Sequence, residues 1–61
     1  MILDDSFSFK YFKNKKEIFR AYRINPNEFE VKWCGGKVRY FEDIVIEALE
    51  NGIWIKVWFN S

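Results

Sequence analysis

KVRYFEDIVIEALENGIWIKVWF, running from Lys37 to Phe59, decides how this chain folds. Within it Phe41, Ile44, Val45, Ala48 and Leu49 recur at i, i+3, i+4, i+7 and i+8, the apolar stripe of a helix with one buried side. Glu42, Asp43, Glu47 and Glu50 take the other side, where Ile46 is the apolar exception. Acidic residues in the first turn suit the positive end of the helix dipole, and Asn51-Gly52 supplies a residue able to adopt the left-handed conformation that stops a helix. The spacing predicts a helix from Glu42 to Asn51, with Ile44, Val45, Ala48 and Leu49 buried against Phe29, Val31, Ile55 and Val57.

After Gly52 the period changes to two. Ile53, Ile55, Val57 and Phe59 alternate with Trp54, Lys56 and Trp58, as in a strand with both faces in use. If the first set lies under the helix, Trp54 and Trp58 share the opposite face. There either the N-terminal segment covers them or they form an interface. Trp54, Trp58 and Ile46 are accordingly the candidate partner or dimer interface.

Working back from the helix, Cys34-Gly35-Gly36 reads as a turn and Lys37 to Tyr40 as a short returning strand. Phe29, Val31 and Trp33 alternate with Glu28, Glu30 and Lys32, a strand with one buried and one wet face. The EIFRAYRI segment from Glu17 to Ile24 carries both helical spacing and strand composition. The compact Asn25-Pro26-Asn27 turn and the β-rich sequence after it favour the strand. Phe7, Phe9 and Tyr11 alternate with Ser8, Lys10 and Phe12 in a first strand, followed by a turn at Asn14. The expected fold is α+β, a single domain over 1–61. It is a small antiparallel meander of four to five strands with one amphipathic helix before the last, in the order β-β-β-β-α-β.

Sixty-one residues bury a small core, and one cysteine with no histidine leaves neither an internal disulfide nor a Cys/His zinc site to staple it. Stability then rests on aromatic density, 21% Phe, Tyr and Trp, or on self-association, so a homodimer is expected on physical grounds. Met1-Ile2-Leu3 runs straight into Asp4-Asp5 without an apolar leader, and no run is long enough to span a membrane. A cytoplasmic protein with no membrane partner is the expectation, to which a lone Cys34 also conforms.

Catalytic, metal-binding and cofactor-binding signatures are not found in the sequence, and the expectation is of no enzyme and no cofactor. Cys34 has no histidine to activate it. Glu28 and Glu30 share a strand face that reads as solvated, and Gly35-Gly36-Lys37 leads into a strand where a phosphate loop leads into a helix. The net charge of +1 gives no global case for nucleic acid, yet residues 1–24 carry +3 and residues 25–61 carry −2. In FSFKYFKNKK, cations interleave with aromatics, which on a sheet can follow phosphates while stacking unpaired bases. The alternative nucleic-acid contacts are therefore Lys10, Tyr11, Lys13, Lys15, Lys16, Arg20 and Arg23, set against a core role for Phe7, Phe9 and Tyr11.

Residues with A/T-rich codons (Phe, Tyr, Met, Ile, Asn, Lys) number 30 against 9 of Gly, Ala, Arg and Pro, which points to an A/T-rich genome. With its small size, its aromatic sheet and the ending YFEDIVIEALENGIWIKV, the chain resembles small accessory proteins of bacteriophages, some of which disable host enzymes or immune systems. That resemblance implies a non-enzymatic inhibitor or modulator of a host protein, acting in the host cytoplasm, with no residue role to transfer. The alternative is a single-stranded nucleic-acid-binding module, and a structural or assembly component comes third.

Overall fold

The computed structural model describes residues 3–58. Five strands and one helix follow one another as β1 (Ser6–Tyr11), β2 (Phe19–Asn25), β3 (Glu28–Trp33), β4 (Gly36–Phe41), α1 (Glu42–Glu50) and β5 (Trp54–Val57). The sheet is antiparallel throughout with the order β4-β3-β2-β1-β5, so α1 carries the chain from one outer strand to the other. This is the α+β meander with a helix before its last strand that the periodicities predict.

Register sorts the side chains. Phe7 lies opposite Ala21, Phe9 opposite Phe19, Ala21 opposite Val31 and Tyr11 opposite Trp54, so these share one side of the sheet. Phe9, Ala21, Phe29, Val31 and Val45 are all but inaccessible at its centre. A flat sheet would hold β4 and β5 about 19 Å apart at about 4.8 Å per strand. The Tyr40 and Trp54 rings, one from each outer strand, are instead 5.3 Å apart between centroids. The sheet is curled, with the aromatic side concave and α1 laid where the outer strands converge.

The helix is held at both ends by backbone. At its start, with no side-chain cap, the Glu42 N–H donates to the Asn27 carbonyl in the β2–β3 turn at 2.8 Å. At its end Gly52 takes a φ of 73°. There Ile53 N–H donates to the Ala48 carbonyl at 2.9 Å and Gly52 N–H to the Leu49 carbonyl at 3.3 Å, the paired bonds of a Schellman stop.

Two expectations about facing are corrected. The last strand is turned over: Trp54, 4% exposed, lies in the core stacked on Phe9 at 4.1 Å, whereas Ile55 is 43% exposed on the convex side. Both alternating sets of this strand carry a large apolar residue, and the aromatic wall of Phe9 and Tyr11 on β1 selects the indole. Phe59, assigned to the same set as Ile55, lies outside the described residues. The helix is also rotated from its expected setting. Val45 and Ala48 are buried and Leu49 partly so, but Ile44 is 47% exposed and Ile46, outside the expected stripe, packs against the core.

Candidate interaction surfaces

Trp54 forms the floor between two shallow grooves. One, of about 290 Å³, runs between α1 and the converging outer strands and is lined by Tyr11, Tyr40, Ala48 and Trp54, with Ile44 and Ile53 along it and Glu47 as its one charge. The other, of about 420 Å³, lies on the far flank of the indole beside Leu49, Gly52, Ile55 and Lys56. Ile44, Ile53 and Ile55 are each 40–47% exposed, so apolar groups stand at the mouths of both. At the base of the first groove burial pushes the Tyr40 phenol above its ordinary value, and the adjacent Tyr11 phenol pushes it further the same way. The Tyr11 ring is also edge-on to Phe19 and Trp54. Both are open recesses at the lower end of the volumes that small-molecule sites reach, and they lack the enclosure by which such sites bury a ligand.

The three expected interface residues fare differently. Trp58 is 76% exposed just beyond β5, with the Lys56 ammonium 5.8 Å from its ring. Trp54 is reachable only as groove floor, and Ile46 is half-buried against the core. A two-fold pair could therefore newly cover Trp58 but not Trp54, whose indole β1 already covers. Ile44, Ile53 and Ile55 complete the apolar surface. Sequence reasoning had placed Ile44 and Ile55 inside, because the stripe and the alternation each admitted two phases.

The expected nucleic-acid contacts also divide. Phe7 and Phe9 are core and Tyr11 is packed edge-on, so these three are not free to stack bases, whereas Phe12 at the end of FSFKYF is 48% exposed. Arg23 faces the concave side as a clamp. Its Nη1 donates to Glu42 Oε2 at 2.7 Å and to the Pro26 carbonyl at 2.9 Å, its Nε donates to Asp5 Oδ1 at 3.0 Å, and its guanidinium lies 4.6 Å from the Phe29 ring. The Glu42 bond, aided by Asp5, holds Arg23 still more firmly protonated than usual. Lys13, Lys15 and Lys16 are exposed in the loop after β1, and Arg20 is exposed on the convex face with Lys10 partly so.

Cys34 is exposed in the β3–β4 turn. Of the paired acids, Glu28 accepts a 2.8 Å bond from Asn25 Nδ2, and Glu30 sits 3.9 Å from Lys32 and 3.7 Å from Arg39. Among the described residues no three Cys, Asp or Glu side chains gather to hold a metal ion, and no helix is long and apolar enough to cross a membrane. Comparison with protein-family models, curated proteins and solved structures finds no match to the chain. What it does must be read from its own surfaces.

Proposed function

We propose that the chain is a small non-catalytic binding protein that docks on another protein, as expected of the phage-encoded modulators of host proteins it resembles, and that it works in the host cytoplasm. The observation that carries this reading is the pair of apolar grooves flanking Trp54, with Ile44, Ile53 and Ile55 half-exposed at their mouths and Trp58 standing free beyond them. In so small a protein, clustered apolar exposure of this kind marks a contact surface more readily than a lone exposed residue does. Branched aliphatic groups do not stack on bases, and an open apolar recess accepts an apolar anchor from a protein partner.

The test is capture from nuclease-treated bacterial lysate by the immobilised full chain, compared with Ile44→Asp, Ile53→Asp and Trp58→Ala. Each of these residues is exposed, so the variants should keep the wild-type circular dichroism. Capture of a discrete protein that all three weaken supports the reading. Capture indifferent to all three, by folded variants, overturns it.

A further inference from the structure

The register places like charges side by side on the convex face. Lys37 is directly opposite Lys32, and Lys32 is directly opposite Arg20, so three cations form a row across β4, β3 and β2. Directly opposed like charges destabilise a sheet, and internal neutralisation is slight. Glu30 reaches Lys32 and Arg39 only at 3.9 and 3.7 Å, while Lys10, Arg20 and Lys37 have no ion pair among the described residues.

The whole chain is sorted in the same sense. Lys10, Arg20, Lys32, Lys37 and Arg39 alternate onto the convex face, where Glu28 and Glu30 are the strand acids, so the strands carry +3 there, and Lys13, Lys15 and Lys16 are exposed in the β1–β2 loop. The remaining cations, Arg23 and Lys56, are paired with Asp5, Glu42 and Asp4 on the other side. With Asp43, Glu47 and Glu50 of α1, that side carries −4. Two exposed aromatics have a cation beside the ring: Tyr22 on the convex face with Arg20 at 5.8 Å, and Phe12 in the loop just after β1 with Lys13 at 5.6 Å.

We infer that this convex face binds single-stranded nucleic acid. Lys37, Lys32, Arg20 and Lys10 follow the phosphates, and Tyr22 and Phe12 offer ring faces to unpaired bases. Charge complementarity sets the polyanion. The aromatic-cation pairs favour bases over carboxylates, and stacking on an exposed ring requires a base that is not already paired. The site is centred on β4, β3 and β2, with its Lys10 end directly opposite Ile55 at a groove mouth, and it uses Lys32, Lys37 and Tyr22 in place of the buried aromatics of the first strand.

Titration of the isotopically labelled full chain with oligothymidylate and oligouridylate, with a blunt duplex and poly-L-glutamate as comparisons, tests the assignment. Amide shifts should concentrate at Lys10, Arg20, Tyr22, Lys32 and Lys37, and neutralising four phosphates should make affinity fall about 50-fold between about 50 and 200 mM salt. The double variant R20E/K32E should lose binding by about tenfold or more, and Tyr22→Ala should weaken it without changing the salt slope. Absence of binding at low salt, equal or tighter binding of poly-L-glutamate or duplex, or shifts confined to the surroundings of Trp54 would each overturn the inference. The wild-type titration decides even if a charge-reversal variant misfolds.

Discussion

Tyr40 and Trp54 belong to the two outermost strands of a five-stranded sheet, yet their rings meet edge to face with centroids 5.3 Å apart. The contact requires the sheet to curl until side chains of its two outermost strands meet across the concave side. It also places α1, which joins those strands in sequence, over the seam between them. A nine-residue helix then suffices to close a core that a flat sheet of this width would leave open.

Alkaline pH should loosen this seam. Burial, reinforced by the Tyr11 phenol, keeps Tyr40 protonated to higher pH in the fold than in the unfolded chain. Below the ordinary tyrosine value of about 10 both states hold the proton and the group contributes no pH dependence. Above it the unfolded chain ionises first, so stability falls as pH rises toward the folded value. Denaturant midpoints from about pH 8 to 11 should show a steeper loss for wild type than for Tyr40→Phe. Parallel curves would mean that the phenol is not responsible.

The two faces of the helix should respond oppositely to truncation. Val45→Ala removes fully buried methyl groups and should cost about 2 kcal/mol, lowering the melting temperature by about 10 °C in a domain this small. Leu49→Ala, at a partly buried position, should cost less than a fully buried leucine would. Ile44→Ala, at the groove mouth, should stay within about 1 kcal/mol of wild type. Thermal melts in the reverse order would restore the helix setting that the sequence stripe suggests.

Arg23 joins the chain before β1, the β2–β3 turn and the first residue of α1, through Asp5, Pro26 and Glu42. Arg23→Gln should lower the melting temperature and speed amide exchange in the first turn of the helix. Arg23→Lys should rescue little, since an ammonium lacks the planar fork that spans three acceptors while lying over Phe29. An Arg23→Lys protein as stable as wild type would show that charge alone matters there.

Gly52 isolates a purely backbone effect. A Cβ at this position meets nothing within 4 Å, but the φ of 73° disfavours any L side chain. Gly52→Ala should cost about 1–2 kcal/mol, and Gly52→Asn should recover part of it, because asparagine tolerates the left-handed region better. Equal denaturant midpoints for alanine and asparagine would argue that the turn rearranges.

Much of this architecture is legible in the residues. Asn51-Gly52 marks the helix stop, Pro26-Asn27 and Cys34-Gly35 mark the hairpins, and the period of two before each turn marks the strands. Facing is harder to read wherever both phases of a period are apolar. Ile55 and Trp54 compete for the inside of β5, and only the Phe9 and Tyr11 wall on its neighbour decides between them. Ile44 and Ile46 compete likewise on α1, where the position of the converging strands settles the rotation. The basic row is hidden for a different reason. Lys37, Lys32 and Arg20 are scattered in sequence, and pairing register alone makes them adjacent. Division of the chain into halves therefore understates its charge separation.

With an isoelectric point near 7.8, the protein looks almost uncharged to any measurement that averages over its surface. Placing five of the strand cations on one side of the sheet and the helix carboxylates on the other gives it a permanent dipole moment running through its thickness. In the field of a polyanion such a molecule turns before it touches, so that productive encounters outnumber those expected from random tumbling. On a chromatography column the same dipole should make the protein adhere to cation and anion exchangers alike at neutral pH, a behaviour its net charge would never suggest.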